Sequence, residues 1–199
     1  MTRVKICGIT TAGDAHAAAA AGADAIGLNF WPGSPRFVTE EQVRAIVRNL
    51  PHDVLRVGVF VDATAEAMED ATARLGLDIV QLHGRADRPP RCRWWQALSA
   101  GSPGWREAAT ASPAELILLD TPAGAERGGT GRIFDWTLAR ETGRPVILAG
   151  GLGPDNVAEA LRQARPWGVD ACSRLEIAPG RKDHRKIAAF VKAVRESEQ

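Results

Sequence analysis

The chain has 199 residues, 25 basic and 24 acidic, for a net charge of +1, with 45% apolar and 25% charged residues. These are globular averages that exclude a disordered class, and the balanced charge leaves no general field to attract nucleic acid. No window approaches 18 consecutive apolar residues, and the first residues lack a basic run followed by an apolar one and a cleavage site. A cytoplasmic protein with no membrane segment is expected.

In chain order, short β-rich apolar runs alternate with stretches of helical spacing. "RVKIC" (3–7) leads into the alanine-rich "TAGDAHAAAAAGA", which Gly22 closes near its C-cap. "DAIGLNF" (24–30) precedes "TEEQVRAIVRNL". There Thr39 is suited to an N-cap, Glu40 and Glu41 to the first turn, and Val43, Ile46, Val47 and Leu50 form one apolar face. "VLRVGVFV" (54–61) precedes "TAEAMEDATARLGL", again with a Thr start and a Gly stop. Further strands read at "DIVQLHG" (78–84), "RWWQALS" (93–99), "ELILLD" (115–120), "PVILAGG" (145–151) and "GVDACS" (168–173). Helices are expected at "IFDWTLARET", "GPDNVAEALRQA" and "DHRKIAAFVKAVRES", whereas residues 99–113 give little helical signal and the connections after strands 4 and 5 read as short or irregular.

Nearly continuous apolar strands fit a parallel sheet covered by helices, and parallel strands must return by crossovers. Eight successive βα units therefore suggest a closed (β/α)8 TIM barrel, an α/β fold, with residues 1–199 as a single domain. An open doubly wound sheet has the same periodicity, but no GxGxxG follows the first strand. Cys7, Cys92 and Cys172 are odd in number and lack metal spacing, and the four histidines do not cluster, so neither a disulfide framework nor a metal is expected. "RADRPPRCR" (85–93) is basic but has two prolines and no interleaved aromatics; it reads as a solvated loop.

In such a barrel, side chains at the carboxyl ends of the strands share one site. Cys7, Asn29, Arg36, Gln81, His83, Asp120 and the "AGGLG" of 149–153 all fall there. Each has a plainer reading. Cys7 is compatible with a small buried hydrophobe, Asp120 with a carboxylate binding loop amides, His83 with a hydrogen-bonded rim histidine, Arg36 with a surface charge, and the glycines with ordinary connections. Their joint placement favours chemistry: a thiol and a carboxyl can address two sides of one molecule, and glycine backbone N–H groups at a helix start suit an anion. The residues lead to an enzyme that moves protons on a small phosphorylated metabolite without a cofactor.

The ordered motifs "KICGIT" (5–10), "GADAIGLNF" (22–30), "SPR" (34–36), "VGVFV" (57–61), "VQLHG" (80–84), "LLDT" (118–121), "GGTG" with "FDW" (128–136), "LAGGL" (148–152) and "PGRKD" (179–183) resemble the phosphoribosylanthranilate isomerase family of tryptophan biosynthesis. The resemblance implies an Amadori rearrangement with Asp120 as general acid at the ribose ring oxygen and Cys7 as the base at ribose C2. It further implies Arg36 on the anthranilate carboxylate, Gly150 and Gly151 on the phosphate, and Gly129 in a covering loop, with Gln81 and His83 lining the pocket. One segment departs from the family pattern. "CSRLE" (172–176) stands where the family has a Ser-Ser-Gly-Val-Glu type run, so that Cys172 replaces a serine and Arg174 a glycine. Ser173 is then expected at the phosphate. Arg174 either strains the loop, if the position needs positive φ, or turns its guanidinium toward the phosphate. Competing functions are a degenerate barrel that binds a phosphorylated ligand without turnover and a bifunctional histidine and tryptophan pathway sugar isomerase, which carries a carboxylate where this chain has Cys7. The expected partner is the small-molecule substrate alone, with no nucleic acid and no membrane, and the chain is expected as a monomer or homodimer.

Overall fold

Each of the eight apolar runs forms a strand, and every strand pairs in parallel with its chain neighbours until the last pairs with the first. The structure is a computed structural model that describes residues 1–121 and 134–198. The strands are β1 (Arg3–Ile6), β2 (Ala25–Asn29), β3 (Leu55–Val61), β4 (Ile79–His83), β5 (Trp94–Ser99), β6 (Leu116–Asp120), β7 (Val146–Leu148) and β8 (Gly168–Ala171). The helices are α1 (Ala12–Ala20), α2 (Glu40–Val47), α3 (Ala65–Leu75), α4 (Trp105–Ala111), α5 (Val157–Ala164) and α6 (His184–Glu196). The closed barrel excludes the open doubly wound sheet.

Because side chains alternate across a strand, two apolar layers result. One alternating set, such as Val57, Ile79, Trp95, Leu116, Leu118 and Ile147, packs on itself inside the barrel. The intervening set, such as Ile6, Leu28, Val80, Ile117 and Leu119, joins the helices in the larger outer core. Both sets lose nearly all exposure to water, which explains the unbroken apolar runs.

Helix starts follow the local chemistry. Thr39 and Gln42 form a reciprocal capping box, with Gln42 N–H donating to Thr39 Oγ1 at 3.3 Å and Thr39 N–H to Gln42 Oε1 at 2.8 Å. Thr64 caps α3, which Gly76 ends at φ 62°. Three expectations need correction. Residues 99–113 do contain a helix, α4, anchored by Trp105 and Ala109 in the core. "IFDWTLARET" folds as a 3-10 helix over Trp136–Thr142, in which Asp135 caps Thr137 and Gly143 stops the turn after seven residues. The helix read from Pro154 and Asp155 begins later, at Val157, with Asn156 as its cap residue. Among the described residues no helix is long and apolar enough to cross a membrane.

Candidate active site

The carboxyl ends of the strands open into a pocket that brings together Cys7, Arg36, Gln81, His83, Asp120, Gly150, Gly151 and Ser173. Of the two other expected site residues, Arg174 stands beside Gly151 and Gly129 lies outside the described residues. A larger cavity of about 340 Å³ sits at the opposite, amino-terminal end, walled by Val4, Leu55, Ile79, Trp95 and Ile147. It contains neither the thiol nor the Asp120 carboxyl, so the chemistry belongs to the smaller pocket.

Cys7 follows β1 directly, and its N–H donates to Ala171 O at 2.9 Å, which holds it against β8. A hydrogen bond from the Cys172 thiol is the largest influence on Cys7 and lowers its pKa well below the ordinary thiol value. Burial opposes this, while the Lys5 and Lys182 ammonium groups assist it. Cys172 is correspondingly pushed up and keeps its proton. Asp120, at the end of β6, behaves in the opposite way. Burial first, and the Cys7 charge second among the raising influences, push its carboxyl up to about 6, against the Thr121 N–H that donates to Oδ1 at 2.7 Å. One site thus makes a thiol more acidic and a carboxyl less so, the opposed tuning that acid–base chemistry uses.

Two buried groups of ion pairs support this arrangement, and Arg36 is the one member to which the sequence assigns a role. Lys5 and Asp170 meet at 2.9 Å inside the barrel, two residues before Cys7 and Cys172 on the same inward faces. Burial works against a charged Lys5, but Asp170 and Cys7 hold it protonated. Glu176 receives Arg36 Nε and Nη2, both at 2.8 Å, and Lys182 Nζ at 2.9 Å. Burial alone would raise the Glu176 pKa, yet these cations keep it low. For Lys5 and Asp170 the signal in the sequence is a spacing of two from Cys7 and Cys172, which places a side chain on the same face of a strand. Glu176→Ala is expected to leave Arg36 and Lys182 uncompensated and to cost roughly 3–5 kcal/mol, read as a lower urea midpoint. An unchanged midpoint would show that the two cations find water instead.

The loop after β7 is shaped for close approach. Gly150 (φ 84°) and Gly151 (φ 64°) are both left-handed, and a Cβ on Gly150 would lie 2.1 Å from Thr121 Oγ1 and 2.8 Å from Asp120 Oδ1. Asn156 fixes the loop by accepting from Gly153 N–H at 2.8 Å and donating to Gly151 O at 2.9 Å. Arg174 does not strain the neighbouring loop: it lies in a 3-10 turn, Ser173–Leu175, and the positive-φ non-glycine residues among those described are Asp62 and Arg165. Its guanidinium instead donates to Asp155 Oδ2 at 2.6 Å and to Gly151 O at 3.3 Å. Gln81 Nε2 and His83 Nε2 are 2.8 Å apart on β4, and Trp31, unremarked in the sequence, lines the rim beside Arg36.

A closed (β/α)8 barrel with its reactive side chains gathered at the carboxyl ends of the strands defines the class, a TIM-barrel enzyme. A family model described as N-(5'-phosphoribosyl)anthranilate isomerase matches residues 4–193. The isomerase of Magnetococcus marinus is 48% identical over 203 residues, covering 98% of this chain and 96% of the relative. The crystal structure of the Thermotoga maritima isomerase superimposes with a TM-score of 0.88 at 38% identity, covering 98% of this chain and all of that one. A phosphoribosylanthranilate isomerase in complex with reduced 1-(o-carboxyphenylamino)-1-deoxyribulose 5-phosphate matches with a TM-score of 0.84 at 36% identity, over 98% of this chain and all of that one. The chain belongs to the phosphoribosylanthranilate isomerase family. Its reaction is the Amadori rearrangement of N-(5-phosphoribosyl)anthranilate to 1-(2-carboxyphenylamino)-1-deoxyribulose 5-phosphate, a step of tryptophan biosynthesis.

Proposed function

We propose that Asp120 and Cys7 divide the two proton transfers of this rearrangement. Asp120 donates to the ribose ring oxygen as the C1–O bond breaks, and the anthranilate nitrogen lone pair forms the C1=N bond of an iminium. The Cys7 thiolate then removes the proton at C2, the electron pair shifts through C1 to nitrogen, and the resulting enolamine tautomerises to the 2-keto sugar by protonation at C1. The observation that carries the assignment is the pairing of a lowered thiol and a raised carboxyl across one pocket. Each such group typically contributes about 10²–10⁴-fold.

The other groups bind. Glu176 holds Arg36 by Nε and Nη2, which presents Nη1 to the anthranilate carboxylate. Backbone N–H groups of Gly150, Gly151 and Ser173 receive the phosphate, with the Arg174 guanidinium beside Gly151 adding positive charge. Gln81 Oε1 is buried without a partner among the described residues, and accepts from a sugar hydroxyl. The complex of a related isomerase with a reduced product supports a phosphorylated ligand of this shape. We place this activity in the cytoplasm, with residues 1–199 acting as one domain and as a monomer or homodimer.

Alkylation with iodoacetamide near neutral pH tests the base assignment. Cys7 is expected to react before Cys92, whose thiol burial pushes up. Conversion of phosphoribosylanthranilate, followed by its fluorescence, should fall in step with Cys7 labelling, and bound substrate should protect. Full activity on a chain alkylated at Cys7 would remove the thiol from the mechanism.

A further inference from the structure

We propose that Cys7 and Cys172 join in a reversible disulfide across the β1–β8 seam when the protein meets hydrogen peroxide, making the site thiol a modification site with its own resolving cysteine. The register places them together. Ile6 lies opposite Ala171, and the next residue on each chain segment is a cysteine. Neighbouring strands run about 4.8 Å apart, inside the roughly 4.4–6.8 Å between Cα atoms that a disulfide spans. Both residues line the same open pocket, and the Cys172 thiol hydrogen-bonds to the Cys7 sulfur. Two glycines make the room. A Cβ on Gly27 would sit 2.7 Å from Cys7 Sγ, and one on Gly8 would sit 2.9 Å from Cys172 Sγ.

The chemistry balances with one molecule of peroxide. The Cys7 thiolate attacks a peroxide oxygen, the O–O bond breaks, and hydroxide leaves to take a solvent proton, giving the Cys7 sulfenic acid. That step removes the negative charge which, with its hydrogen bond and with burial, keeps Cys172 protonated. Lys182 Nζ, 3.7 Å from Cys172 Sγ, then favours the Cys172 thiolate. This sulfur attacks the Cys7 sulfur, the S–O bond breaks, and the departing hydroxide takes up the Cys172 proton. One thiolate and one thiol have lost two electrons and one proton, one solvent proton has been taken up, and peroxide has become two waters. Cys92 stands apart, against Thr72 of α3.

The test exposes the full-length chain to hydrogen peroxide and reads thiol titration, peptide mass mapping and isomerase rate, each variant against its own untreated value. The expected result is loss of two of the three free thiols, a Cys7–Cys172 linked peptide, and recovery of thiols and rate with dithiothreitol. Cys172→Ser should instead carry Cys7 on to the sulfinate, which dithiothreitol does not reverse. Cys92→Ser should follow the parent. A parent that accumulates Cys7 sulfinate, links through Cys92 or keeps all three thiols overturns the proposal. The linkage is read by mass, whereas the rate arm rests on Cys7 being the base. A linked protein at full rate therefore refutes that assignment and leaves the disulfide standing.

Discussion

Asp120→Asn should lower turnover of phosphoribosylanthranilate by about 10²–10⁴-fold while the unfolding midpoint stays near that of the parent. The amide keeps the shape and can still accept from Thr121 N–H, so the buried packing at the end of β6 is retained. The proton on the acid is lost. The pH profile sharpens the test. An acid must be protonated to act, and burial raises the Asp120 carboxyl to about 6. In the free parent enzyme Asp120 is therefore largely protonated below that value, and its acid form falls tenfold per pH unit well above it. The descending limb of kcat/KM should appear in the parent and be missing from the residual rate of the variant, measured with the same substrate so that phosphate ionisation cancels. A variant that keeps both its rate and the limb would assign the proton to another group.

Cys7→Ser should be as damaging, again by roughly 10²–10⁴-fold, because a serine hydroxyl does not ionise in the range where the thiol does. The surrounding cations cannot rescue it. Lys5 and Lys182 favour an anion at this point, but their field acts on a group that must first be acidic enough to respond. The substitution has a second consequence on the far side of the pocket. The Cys7 charge is one of the influences raising Asp120, so in the serine variant the Asp120 carboxyl should titrate lower, visible by carbon-13 NMR of labelled aspartate. Normal turnover by a folded serine variant would rule out the thiolate as base. An unmoved Asp120 titration would mean that burial alone sets that carboxyl.

All eight strands were legible because parallel strands covered on both sides are apolar at nearly every position, as in "ELILLD". The mouth residues were legible because chemistry-bearing side chains stood at the ends of those runs. α4 was hidden because glycine, serine and proline crowd its approach and only Trp105 and Ala109 anchor it. The helix through Trp136 was misjudged in type, since helical spacing over seven residues does not distinguish the tighter 3-10 winding from the α form. The supporting charges were least visible. Lys5 and Asp170 lie within strands where a charged residue ordinarily reads as facing water, and only closure of the barrel brings them to 2.9 Å from each other. Glu176 carries no signal of its own within "CSRLE", because its partners, Arg36 and Lys182, stand far off and just beyond it in the chain.

The seam between β1 and β8 has a consequence for biogenesis. Cys7 is synthesised well before the groups that position the site: its backbone acceptor is Ala171, and the carboxylate that orients Arg36 is Glu176, itself neutralised by Lys182. A nascent chain therefore lacks the assembled site until the segment through Lys182 has left the ribosome, and closing so distant a contact is entropically slow. Appearance of isomerase activity during synthesis or refolding would accordingly report the final ring closure and not the earlier collapse of the core.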